Sequence, residues 1–185
     1  MSATHAPWQQ GALDSLCGIY SVINGIQYAA PDPGLSKQDA SYLFGEIAYE
    51  LESRSDAGDL IGYGLTRRSL CTALRTADTW LTDNYDLKLR ANWPFYRSTD
   101  VSLSEIFDAL QSHLLQPHSA AVCAIMGCIN HWTVITEFTP GRIRLFDSYG
   151  MKFIRTSSVG PLGTEEARYQ LPPTNMVFIQ ITEAT

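Results

Sequence analysis

HWTVITEFTPGRIRLFDSYG, residues 131–150, decides how the second half of this chain folds. Two β-rich runs flank Thr-Pro-Gly-Arg, whose proline and glycine suit a tight reversal, so the stretch predicts an antiparallel hairpin turning at 139–142. Strands paired about that turn match positions that sum to about 280. On this register His131, heading the first strand, and Asp147, near the end of the second, stand close to opposite each other and within hydrogen-bond reach. Two further runs, SAAVCAIM (119–126) and NMVFIQIT (175–182), are β-rich as well and extend the sheet.

Upstream the pattern changes to helix. In DSLCGIYSVINGI, residues 14–26, Leu16, Ile19, Tyr20 and Ile23 recur at helical spacing, while Val22 and Ile26 fill the other side. That predicts a helix buried nearly all round, with Cys17, Ser21 and Asn24 forming a small polar strip suited to a cleft. APDPG then breaks the chain. Ser36 predicts an N-cap for a helix over 37–53, with Tyr42, Leu43, Ile47 and Leu51 facing inward. A glycine-rich loop, DAGDLIGYG (56–64), leads to Thr66 and a helix reaching about Trp80. DLKLRANW (86–93) alternates like a strand, and SLSE (102–105) is a capping box before a helix to about Leu115. Helices first and strands later predict an α+β fold. A helical N-terminal lobe carries the cysteine helix and packs on a C-terminal antiparallel sheet, in one domain over 1–185.

Composition narrows the function classes. The 185 residues are 45% hydrophobic and carry a net charge of -6, with no basic run longer than Arg67-Arg68, which excludes an electrostatic footprint for nucleic acid. No segment approaches the roughly 18 apolar residues that span a bilayer. MSATHAPWQQ lacks the charged start and apolar stretch of a signal peptide, so the expectation is a cytoplasmic protein, or an effector exported without a cleaved signal. Four irregularly spaced cysteines, 17, 71, 123 and 128, are too few for a disulfide framework and predict free thiols.

Cys17 has two readings. It is a small hydrophobe in a buried helix, or a nucleophile at a helix start, where backbone N–H groups and the helix dipole favour a thiolate. A thiolate wants an imidazole. His5 lies in the N-terminal tail, and His113 and His118 flank a helix end and a loop. His131 alone stands at a strand head beside a prospective cleft, with Asp147 placed to orient its ring; beside Ser148 and Gly150, Asp147 also fits a turn cap. The oxyanion donors would be the Cys17 N–H and the side-chain amide of Gln10 or Gln9. Cys123, Cys128 and His131 suggest zinc, but no fourth ligand is evident, and Cys123 reads as core beside Ala121 and Ile125. No cofactor or metal is expected.

Gln10, DSLCGIYSVIN with Cys17, NHWTVITEF with His131 and FDSYG with Asp147 resemble the active-site blocks of papain-like cysteine peptidases, in the order Cys, His, acid. The flavour is similar to the bacterial bacteriocin-processing (double-glycine) peptidases. Gln10 sits one residue further from the cysteine than is common in the family, and the CGSCW surroundings of the plant and lysosomal enzymes are missing. The resemblance implies a papain-like fold and a thiol hydrolase acting on a protein or peptide, with Cys17 attacking, His131 moving the proton, Asp147 orienting it and Gln10 holding the oxyanion. Glutamine deamidation and acyl transfer use the same thioester, and a non-catalytic binding module would keep the fold alone.

Overall fold

The computed structural model of the chain describes residues 6–11, 15–54, 64–98 and 100–184. Four helices and eight strands are found among them. In order they are α1 (Cys17–Ala29), α2 (Lys37–Glu52), α3 (Arg67–Tyr85), β1 (Leu87–Asn92), α4 (Leu103–Leu114), β2 (Ser119–Gly127), β3 (His131–Thr139), β4 (Arg142–Leu145), β5 (Phe153–Arg155), β6 (Val159–Pro161), β7 (Tyr169–Leu171) and β8 (Met176–Glu183). The expected glycine-rich loop falls, except for Gly64, outside the described residues, as does His5.

Capping chemistry starts three of the helices where the sequence places them. The Ser36, Thr66 and Ser102 hydroxyls accept from the N–H groups of Asp39, Ser69 and Glu105, and Glu105 returns a bond to the Ser102 N–H to complete the capping box. α3 runs past Trp80 to Tyr85 because Leu81 continues its buried stripe of Leu70, Ala73, Leu74 and Ala77. In α2 the inward stripe is Ala40, Leu43, Ile47 and Leu51. Tyr42 lies one step off that stripe and is 61% exposed, contrary to its expected inward position.

The strands form one sheet in the order β1-β8-β2-β3-β4-β5, antiparallel throughout, with β7 paired antiparallel to the end of β2 and parallel to β6. The expected picture of helices on one layer and strands on another is incomplete in two respects. β1, from the helical half, pairs with β8 at the sheet edge. α4 covers the face opposite α1, α2 and α3: its Ile106 and Leu110 pack with Ala121, Cys123, Ile125 and Ile135, whereas Val122, Ala124, Val134, Val177 and Ile179 face the other helices. The physical reason is that β2 is buried on both faces along seven of its nine residues, and a sheet apolar on both sides needs cover on both.

α1 is the helix buried nearly all round, as expected, since it is clamped between the sheet and the outer helices. Gly25 makes the close approach: a Cβ there would stand 2.6 Å from Ile179 Cδ1 and 3.3 Å from Val122 Cγ2. The axis of α1 therefore lies low on the sheet, and its first residue, Cys17, is carried to the end of β3 where His131 begins.

Candidate active site

Cys17 is the first residue of α1 and His131 the first of β3, so two element ends meet rather than two element middles. Helix starts leave backbone N–H groups without helical acceptors, and here the Cys17 N–H is among them by position. The thiol is tied to the strand, because the Trp132 N–H donates to Cys17 Sγ at 3.5 Å. The Trp132 indole N–H donates to the Leu65 carbonyl at 2.9 Å, which fixes the other wall of the same cleft.

His131 Nε2 and Asp147 Oδ1 are 2.6 Å apart, with both side chains buried. Since Nε2 is engaged, Nδ1 is the ring nitrogen left for the Cys17 side. The register is the expected one to within a residue, and on it His131 and Asp147 stand diagonal rather than directly opposite. β3 and β4 pair Thr139 with Arg142 and Ile135 with Leu145, with a bulge between Ile135 and Glu137. Beyond the last β4 residue the Phe146 N–H still donates to the Val134 carbonyl, so Asp147 follows on opposite Thr133 and reaches His131 diagonally, two residues along the same face. β4 ends at Leu145, and Asp147 sits in the following turn.

The sequence left Asp147 as either a turn cap or a ring orienter, and it does both. While Oδ1 meets the ring, Oδ2 accepts from the Tyr149 N–H at 2.9 Å and the Met151 N–H at 3.1 Å. Burial works against the charge on Asp147, but the bonds from His131 and Met151 outweigh it and hold the carboxyl below its ordinary range. The Thr133 hydroxyl lies toward the same carboxylate without a well-formed hydrogen bond to it. Burial likewise opposes a charged His131, yet the hydrogen bonds and charges of Asp147 and Cys17 raise the ring to about 9. The exposed Tyr149 ring packs edge-on against the imidazole, centroids 5.5 Å apart, on its solvent side.

Cys17, His131 and Gln10 open into one cleft of about 520 Å³, walled by Leu65, Asn130 and Tyr149 among others. Gln10, not Gln9, faces it. The Gln9 amide is turned outward and donates to the carbonyls of Pro7 and Asp147 at 3.1 and 3.3 Å. The expected polar strip on α1 does not line the cleft beyond Cys17, because the chain at residue 8 covers it. Ser21 bonds back to the Cys17 carbonyl, and Asn24 is fully buried against the backbone of Trp8.

The remaining thiols and imidazoles stand apart from this centre. Cys123 is fully buried and pushed up to about 12 by burial, then by the charge of Asp147. Burial also raises Cys71. Cys128 is exposed in the loop before β3 and does not line the cleft. His113 is stacked on Phe178, and burial lowers its ring pKa. His118 bonds the Ala29 carbonyl. Among the described residues no group of three or more His, Cys, Asp or Glu side chains is placed to hold a metal ion, so Cys123, Cys128 and His131 do not form the zinc site their spacing suggested. No helix of the described residues is long and apolar enough to cross a membrane.

Two contributors escaped the sequence reading. The Trp132 N–H contact to sulfur is backbone geometry, which no side-chain pattern announces. Asn24 left a signal, a carboxamide seven residues after Cys17 on the polar strip of α1, a position that by itself does not tell a cleft-lining side chain from one bonded to backbone. Comparison with protein-family models gives no match, and a search among curated proteins gives none either.

Proposed function

We propose that this chain is a papain-like cysteine hydrolase that cleaves a peptide, isopeptide or other amide bond through a thioester. The observation that carries the reading is the meeting of Cys17, His131 and Asp147 at one open cleft, with the ring held by a buried carboxylate at 2.6 Å. In this reading His131 already holds the proton on Nδ1, as its raised affinity favours, and Cys17 Sγ attacks the carbonyl carbon as the sulfur anion of that ion pair. The C–O electrons collect on the oxygen, which the Cys17 N–H and the Gln10 amide face. Collapse breaks the C–N bond, and His131 returns the proton to the departing amine. Water then attacks the thioester, with the same ring as base. Asp147 keeps Nε2 protonated and Nδ1 toward the sulfur throughout.

The substrate is a protein or peptide, admitted by a cleft whose described walls carry no charged side chain besides His131. All four cysteines are free, which suits a reducing cytoplasm, or an effector that acts in one after export. The test is intact-mass and peptide-mapping spectrometry after exposure to three electrophile-bearing probes: a peptide, a ubiquitin-like tail and a peptidoglycan stem peptide. A single adduct on Cys17, abolished by His131→Ala, is the expected result. Adducts on Cys128 in preference to Cys17, or none with any probe, would leave a binding module on the same fold.

A further inference from the structure

Asn24 is fully buried in the middle of α1, two helical turns from Cys17, and touches nothing in the cleft. A buried carboxamide is costly unless both its ends are bonded. Both are, and by the same residue: Asn24 Oδ1 accepts from the Trp8 N–H at 2.7 Å and Nδ2 donates to the Trp8 carbonyl at 3.1 Å. The amide thus pairs with residue 8 as a neighbouring strand would. Trp8 has no other polar hold among the described residues, since its buried indole N–H finds no acceptor.

Two residues later the same segment is fastened again, to the loop that carries the acid. The Gln10 N–H donates to the Ser148 carbonyl at 3.0 Å, and the Gln9 amide donates to the Asp147 carbonyl. Between these anchors the side chains alternate, Trp8 inward, Gln9 exposed and Gln10 into the cleft. A slip of one residue would exchange the two glutamines.

We infer that Asn24 is a positioning residue that sets the register of the residue 8–10 strap, so that Gln10 rather than Gln9 faces Cys17 while the strap braces the Asp147 turn. The inference rests on the hydrolase reading for its kinetic consequence, and on geometry alone for the register.

A double-mutant cycle with two readouts tests it. Gln10→Ala is expected to slow acylation per titrated active site by roughly 10² to 10³. Asn24→Ala is expected to slow it by a similar factor, and the double variant by no more than either single, because Asn24 acts through Gln10. A residue that only stabilised the fold would leave acylation per folded molecule unchanged. Independently, amide exchange at Trp8 and Gln10 is expected to quicken by about tenfold or more in Asn24→Ala, with β2 and β3 as protected as before. Trp8→Pro, which deletes the N–H that Asn24 accepts and leaves α1 intact, is the second variant; should Asn24→Ala fail to fold, it is expected to slow acylation likewise and to quicken exchange at Gln10, position 8 then having no amide to read. Unchanged strap exchange in either soluble variant, or losses that add in the double variant, overturns the inference. A wild-type chain that forms no acyl-enzyme refutes the hydrolase reading, and the exchange measurement still decides whether Asn24 holds the strap.

Discussion

Asp147→Asn separates the two tasks of the acid more sharply than truncation does. The carboxylate accepts on both oxygens, from His131 on one side and from the Tyr149 and Met151 N–H groups on the other. An asparagine has one acceptor and one donor end, so it serves only one side. With its oxygen toward the ring, its NH2 faces two N–H donors, and leaving both unsatisfied costs about 2–6 kcal/mol. With its oxygen toward the turn, the two backbone bonds survive and only the charge-assisted part of the ring bond goes, about 1–2 kcal/mol. The second arrangement wins. It presents an N–H to Nε2, which must then accept, and that forces the ring proton onto Nδ1, where the base is needed. The expected result is acylation slowed by roughly 10³ to 10⁴, the scale of a wrong-tautomer histidine, with melting lowered by only about 2–8 °C for a domain of this size. Single-turnover acylation with a chromogenic thioester, run beside calorimetry on the same preparation, measures both. Near-native acylation by Asp147→Asn would refute the reasoning, since the amide would then be serving the ring at the expense of the turn. Asp147→Ala gives the contrasting pattern: it leaves both the ring and the turn without an acceptor, and is expected to cost about 3–5 kcal/mol of stability as well as activity.

The pair also predicts how stability changes with pH. His131 binds its proton more tightly in the folded chain, near 9 against 6.5, so its contribution is complete below about 6.5 and fades as pH rises through 9; the Asp147 share fades instead as pH falls through its lowered value. Urea midpoints are therefore expected to fall between pH 6.5 and 9.5 in the wild type, and a His131→Gln variant with the same decline would contradict this. Gly18→Ala would set a Cβ 2.8 Å from Leu65 Cβ, in a wall already bonded to Trp132, and is expected to cost about 1–2 kcal/mol and to raise KM; an unchanged melting point and KM would show that the wall yields.

What was legible in the sequence and what was not follows from the range of the forces involved. Caps act over three residues, so Ser36, Thr66 and the Ser102–Glu105 box announced their helices. The hairpin was legible because Pro140 and Gly141 mark a two-residue reversal, and the reversal sets which residues meet. Its register was legible to within one residue, and that residue is the bulge after Ile135, which answers to packing across the sheet: Tyr28 from α1 reaches the Thr136 carbonyl, and Phe138 packs against Phe107 of α4. At the site Asp147 stands opposite Thr133, and since side chains alternate strictly, its offset of two from His131 keeps the pair on one face, whereas an offset of one would have parted them. The second layer over the sheet went unread because an apolar run such as SAAVCAI shows that both faces are buried but not which helix buries each. Asn24 shows the same limit from within a helix. A polar residue in an apolar helix signals that something polar must meet it, and only the folded chain shows that the partner is the backbone of Trp8, sixteen residues earlier, rather than a substrate in the cleft.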